Sequence, residues 1–390
     1  MQRIRTPFYG LTIGCDDGLI TYETPTFTKK LSGPVFEIDG EELLPSFQSV
    51  ALVSEIRRNA NITEYTFRAV YAAHPALTLH LTVRVAEKSP IVKFKYELTG
   101  NGTERLTKTN GDKLDYCALR LGADDQTTEV RFSEFNKMIH SFCMNEVPLK
   151  DSFFVHSRTV MGPLMAVTDG NHSFLLAYEH GSQYPDAFLH YRLTPAKEII
   201  LSAKKGNYLS GTALNEQPFE SVWFDFGTVA GSVDDLAAAF REFQLKYVTL
   251  NTESRKPYIY YNTWNFQERN KWWNEKAYLA DMTEERMLEE IDAAHEMGIE
   301  YFVIDTGWYE KTGDWEISTK RFSKDMKLVR ERLTSYDMKL GLWIGPTSAG
   351  FTSKILKDCP HCELDWNGQY SHRPIWETEE SYDMCIVSPF

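Results

Sequence analysis

The chain has 390 residues, 42% hydrophobic and 25% charged, with a formal net charge of −13. Those proportions suit a globular protein with a substantial core, and the acidic balance excludes the basic surface that nucleic-acid binding needs. No apolar run reaches the length of a membrane span, and the start, MQRIRTPFYGLTIGCDDG, lacks the apolar stretch of a signal peptide. The reading therefore expects no membrane partner and favours a cytoplasmic location. The 9 Trp, 20 Tyr and 23 Phe are a high aromatic count. An acidic, Trp-rich chain suits carbohydrate, because the C–H faces of a pyranose pack on indole while its hydroxyls need carboxylates.

Residues 1–250 read as many short strands. LTLHLTVRV and IVKFKYEL alternate apolar and polar residues, the period of a half-buried strand. SFLLAYEHG, EIILSAK and ESVWFDFGTV continue the pattern between Gly, Asn and Pro, as in a large β-sandwich. GSVDDLAAAFREFQLKYV predicts a closing helix with Ser232 and Asp235 spaced as a capping box. TLNTESRKP is a polar linker, and from residue 256 the grammar changes. YIYYNTW (258–264) predicts a strand. DMTEERMLEEIDAAHEMG (281–298) predicts a helix, with Asp281 and Glu284 as its capping box and Gly298 as its stop. IEYFVID (299–305) predicts a parallel strand buried on both faces. A helix over about 324–336 and a strand in KLGLWIGP (339–346) follow. Repeated βα units imply a parallel sheet with its site at the carboxyl ends of the strands.

Those ends carry unusual residues. The first presents Asn262, Trp264 and Asn265, the second Asp305 and Trp308, and the third Trp343. One such indole would read as packing. Three at equivalent ends, one beside a carboxylate, read as a sugar site.

The six cysteines are too few for a disulfide framework in a chain this long. CPHC (359–362) has the form of a thiol oxidoreductase motif, but it lies in a late loop instead of opening a helix after a first strand. No second Cys pair completes a zinc set. The pair reads as structural or incidental, with no metal and no cofactor expected. Asn61, Asn101 and Asn171 stand in sequons that matter only in a eukaryotic secretory setting.

YNTWN, GIEYFVIDTGWYEKTGDWE, RFSKDMK and KLGLWIGP resemble, in order and spacing, the α-galactosidases (melibiases) of glycoside hydrolase family 36. The resemblance implies an N-terminal β-supersandwich over 1–250 and the first part of a (β/α)₈ TIM barrel over 256–390. It implies that Trp264 and Trp343 wall the subsite for the terminal sugar and that Asp305 accepts hydrogen bonds from the C4 and C6 hydroxyls of galactose. Trp308 and the Asp314–Trp315 pair would shape the rim. The chain departs from the family at Thr306, where a second Asp is usual, at Asn265 and Thr347 in place of glutamates, and at Cys385 in place of an acid. Arg373 is only a loose counterpart of the family's later Arg. These departures make a galactosamine-type sugar an alternative to plain galactose.

The resemblance further implies a retaining double displacement, which needs two carboxyls about 5 Å apart. About 130 residues follow Lys256, whereas a complete barrel takes about 250. The nucleophile and acid/base Asp are therefore expected beyond Phe390, and no catalytic residue is named within the chain. The expected partner is an oligosaccharide or α-galactoside substrate, with room for a homo-oligomer. The alternatives are a raffinose-synthase-like transglycosylase and a non-catalytic carbohydrate-binding protein.

Overall fold

The computed structural model describes residues 2–15, 19–179, 186–206, 208, 211–366, 369–370, 372–373 and 381–385. The chain divides into two compact units, Met1–Leu250 and Asn251–Phe390.

The first unit is built on two antiparallel sheets. One has eight strands; it runs from Gln2–Arg5 through the next three strands and Lys113–Arg120 to Glu198–Lys204, Phe188–Thr194 and Thr159–Val160. The other has ten strands, with Ser141–Leu149 at one edge and Phe47–Asn59 at the other. The predicted alternation holds: in Leu77–Ala86 every second residue from Leu77 to Val85 is buried. The inner faces meet through aromatic rings. Tyr22 of the eight-stranded sheet meets Phe226 of the ten-stranded sheet at 5.4 Å, and Tyr116 meets Phe224 at 4.9 Å. Such contacts across about 10 Å between sheets are what a sandwich core consists of.

The helix Val233–Phe243 has the capping box read from its sequence. The Asp235 amide donates to Ser232 Oγ at 3.2 Å and the Ser232 amide to Asp235 Oδ2 at 2.8 Å. Its Leu236 and Phe243 share a second apolar cluster with Ile91, Val130, Ala166 and Leu175. The helix therefore covers the outer face of the ten-stranded sheet.

In the second unit three parallel strands pair in the order β1 (Tyr260–Asn262), β2 (Tyr301–Ile304), β3 (Lys339–Leu342). Between them lie α1 (Trp264–Trp272), α2 (Glu284–Glu296) and α3 (Lys327–Ser335). Phe302 and Ile304 are fully buried, packed with Met287, Ile291, Val329 and Leu333 of α2 and α3. The expected burial on both faces is met on one face only: Phe302 and Ile304 are buried, but Tyr301 and Val303 are half-buried, while Tyr260 of β1 is 58% exposed and Leu342 of β3 is 38% exposed. Among the described residues β1 and β3 are its edges, so only β2 has neighbours on both sides.

Three local expectations need correction. The first strand ends at Asn262, and Trp264 opens α1, because the Asn262 side chain accepts the Trp264 amide at 2.8 Å and turns the chain. The cap of α2 is Thr283, whose hydroxyl accepts the Arg286 amide at 3.2 Å. Asp281 instead pairs with Lys276, and Glu284 turns to the Ser323 hydroxyl and amide. The third helix starts at Lys327, after a 3₁₀ turn over Lys324–Met326. Gly298 does stop α2: its φ of +77° is the left-handed backbone that glycine adopts without a Cβ penalty. No helix among the described residues is long and apolar enough to cross a membrane.

One acid in the first unit stands out. Asp225, on Phe224–Ala230, is buried and its Oδ1 has no hydrogen-bond partner. Burial pushes its carboxyl up to about 7, against the pull of the Lys93 ammonium. The folded state then holds a proton that the unfolded chain has already lost. Stability should fall as pH rises from about 4 to about 7. We predict that Asp225→Asn raises the melting temperature of the first unit at pH 8 and flattens its dependence between pH 5 and 8, as read by scanning calorimetry. An unchanged slope would show that Asp225 ionises without cost.

Candidate active site at the strand ends

The parallel register brings the carboxyl ends of the three strands together. The Thr263 amide donates to Val303 O at 3.0 Å and the Trp343 amide to Ile304 O at 3.0 Å. Side chains then complete the connection. Thr263 Oγ1 accepts the Asp305 amide at 2.9 Å and donates to Gln267 Oε1 at 3.2 Å, while Gln267 Nε2 donates to Thr306 O at 2.8 Å. Thr263 and Gln267 are fully buried. Buried polar groups in a satisfied chain of bonds hold one geometry, because each broken bond leaves a desolvated partner.

Asp305 sits on this support and is 6% exposed. Its Oδ1 accepts the Thr306 amide at 2.8 Å and its Oδ2 accepts Asn262 Nδ2 at 3.0 Å. An ionised carboxylate has about four acceptor positions, so each oxygen keeps one in reserve. Thr306 is buried, its hydroxyl 3.4 Å from that of Tyr278. Gly307 follows with φ of +97°, and a Cβ there would meet Leu279 Cδ2 at 2.7 Å. The turn after β2 therefore depends on glycine.

The indoles divide into two kinds. Trp308 is buried; its Nε1 donates to Trp343 O at 2.8 Å, and its ring lies 5.2 Å from Tyr309 and 6.3 Å from Trp315. It is a packing element that ties the loop after β2 to the end of β3. Trp343, 37% exposed, meets the edge of Trp315 at 6.3 Å, and Trp264 is 48% exposed. These two rings have surface to offer a ligand. Asp314 has a structural task. Its two oxygens accept the amides of Lys354 and Ile355 at 2.9 Å each, the free donors at the start of α4 (Lys354–Asp358).

The structure thus bonds Asp305 to Thr306 and, separately, Trp308 to Trp343. It places Trp264 next to Asn262, and it connects Asp314 to α4. Thr263, Gln267 and Tyr278 belong to the same assembly and were not singled out from the sequence. Thr263 lay inside the quoted YNTWN, and Gln267 falls one helical turn after it.

Comparison with known proteins fits this geometry. Residues 230–380 match the Melibiase family model. The chain is 29% identical over 98 residues to alpha-galactosidase Mel36A of Lactobacillus acidophilus. It is 26% identical over 98 residues to alpha-galactosidase 1 of Pediococcus pentosaceus. Each match spans 23% of this chain and 13% of the relative's own length. Among solved structures, the family 36 α-galactosidase AgaA of Geobacillus stearothermophilus aligns with 98% of the chain at a TM-score of 0.67 and 12% identity. The chain spans 61% of that enzyme's length. The α-galactosidase of Lactobacillus brevis aligns with the whole chain at a TM-score of 0.69 and 13% identity. At such identities the likeness is one of fold. Variants of AgaA have been solved with raffinose and with stachyose.

The support beneath Asp305 can be probed directly. Thr263→Val removes a buried hydroxyl of matching shape and leaves the Asp305 amide and the Gln267 side chain without a partner. It should destabilise the second unit by about 1–3 kcal/mol in urea denaturation. A loss below about 0.5 kcal/mol, the level of ordinary surface substitutions, would show that the bonds contribute little.

Proposed function

We propose that the second unit is the first part of a (β/α)₈ barrel and that its strand ends form the terminal-sugar subsite of a retaining α-glycosidase of the α-galactosidase type. The observation that carries this reading is the Asp305 carboxylate. It is nearly buried, fixed through both oxygens, and retains acceptor capacity at the carboxyl end of a parallel strand between two exposed indoles. A fixed carboxylate reads sugar hydroxyls well, because charge-assisted bonds are short and strong and a misplaced hydroxyl leaves the acceptor unpaired.

In this reading Trp264 and Trp343 pack on the apolar faces of the sugar and Asp305 accepts from its hydroxyls. Trp308 sets the position of Trp343 through the bond to its carbonyl. Asp314 shapes the rim by holding α4, without touching sugar. The double displacement requires a nucleophile and a proton donor about 5 Å apart. The reading assigns neither to residues 1–390 and expects both beyond Phe390. The first unit is proposed to be the supersandwich domain with its closing helix. The oligosaccharide class follows from the raffinose and stachyose complexes of the AgaA variants.

A second reading, a carbohydrate-binding protein, draws on the first unit. There an open cleft of about 750 Å³ is lined by Trp223, Asp225, Glu179 and Gln244, again an indole beside carboxylates.

Calorimetric titration of the chain with raffinose separates the two. We expect saturable binding that falls by about 10–100-fold in Asp305→Asn, the cost of losing hydrogen bonds to a charged group. Binding unchanged in a folded Asp305→Asn variant, or abolished instead by Trp223→Ala, would remove the strand ends from sugar recognition.

Specificity should centre on Thr306. A hydroxyl accepts less strongly than a carboxylate and leaves more room beside the ring. Thr306→Asp should therefore shift preference toward methyl α-galactoside over its N-acetylgalactosamine counterpart in competition against raffinose. Equal preference in both proteins would make the substitution silent.

A further inference from the structure

The helix that opens at Trp264 carries a second exposed indole that the strand-end site does not use. β1 ends at Asn262 and α1 (Trp264–Trp272) begins two residues later, so α1 leads directly away from that site. Trp264, Glu268 and Trp272 stand four residues apart, the spacing that makes helix side chains neighbours on one face. A bond within the row bears this out: Trp272 Nε1 donates to the Glu268 carboxylate. With a rise of about 1.5 Å per residue, roughly 12 Å separates the backbone positions of the two indoles.

Trp272 is 65% exposed, although an indole is a side chain that folding usually covers. It is not loose. Glu268 fixes one edge of the ring, and Lys271 Nζ lies over one ring face, 5.0 Å from its centroid. An indole held at the surface in this way is prepared for a flat ligand on its other face. Asn265, Arg269 and Lys271 are exposed alongside. The two indoles are thus separated by polar groups and do not form the continuous apolar patch that marks a protein-docking face.

We propose that Trp272 is an outer sugar subsite, packing on an inner ring of an oligosaccharide whose terminal sugar lies against Trp264 and Asp305. The inference rests on the strand-end reading and adds the length of the ligand to it. The separation of the two indoles is that between a terminal ring and the next ring but one, so the class addressed is a trisaccharide or longer. Glu268 lies midway along the row. Its carboxylate has acceptor positions beyond the one Trp272 uses, and these suit a hydroxyl of the ring between. Trp273, 76% exposed, falls about half a turn from Trp264 at 3.6 residues per turn and stands outside the row.

The test is calorimetric titration of the chain with stachyose and with methyl α-galactoside, reading the ratio of the two affinities. Stachyose should bind the parent chain more tightly. Trp272→Ala should lower the ratio by about 3–10-fold, the cost of one aromatic stacking contact. Trp272→Tyr keeps a ring at the position and should recover part of the loss, while Trp273→Ala should keep the parent ratio. Asp305→Asn separates the inference from the reading beneath it, because it should weaken both ligands together. If Asp305→Asn does so but folded Trp272→Ala keeps the parent ratio, or if the parent has no preference for stachyose, the outer subsite is overturned and the strand-end reading stands. If Asp305→Asn weakens neither ligand, or neither ligand binds, the strand-end reading fails and the inference falls with it. A Trp272→Ala chain that binds both sugars as before but loses a self-association seen for the parent in sedimentation would assign the face to protein contact, which also overturns the inference.

Discussion

The second unit turns on one carboxylate and the threonine hydroxyl beneath it. Thr263 Oγ1 takes the Asp305 amide, Gln267 continues the bond to Thr306 O, and Asn262 and the Thr306 amide take the two Asp305 oxygens. Strand pairing alone would leave this end of β2 with unpaired backbone groups and a free-swinging acid. The polar chain removes both freedoms. It uses neutral donors, one to each Asp305 oxygen, so part of the acceptor capacity of the carboxylate is left. The indole of Trp308 extends the same logic by bonding the carbonyl of Trp343, so the exposed ring of Trp343 is positioned by a buried one.

Much of this was legible in the residues. Period-two alternation marked the sandwich strands because one face of each is buried, and the apolar run of β2 marked the one strand with neighbours on both sides. The capping box at Ser232 and Asp235 was readable because both partners lie within four residues. Tertiary partners were not readable. Asp281 and Glu284 have capping-box spacing, but Thr283 is two residues nearer the helix, and Glu284 is drawn to Ser323 far along the chain. Asp314 looked like a pocket acid, and only the fold shows the amides of α4 arriving from forty residues away to occupy it.

The two units carry their buried charges differently. In the second, Asp305 is fixed by neutral donors. In the first, Lys93 and Glu179 pair beside Asp225, whose own Oδ1 stays unpartnered, and Lys93 lies 5.4 Å from the Trp223 ring. Burial raises the Asp225 carboxyl and favours its protonated form, whereas both Asp305 oxygens already accept hydrogen bonds from neutral donors. That contrast favours the strand ends over the sandwich cleft as the place where sugar hydroxyls are read.

A crystal structure of the chain soaked with raffinose tests that assignment most directly. The account predicts the terminal galactose at the carboxyl ends of β1, β2 and β3, with two of its hydroxyls within hydrogen-bond distance of Asp305 and its apolar face against Trp343 or Trp264. Galactose seated on Trp223 of the first unit, with the strand ends empty, would contradict it.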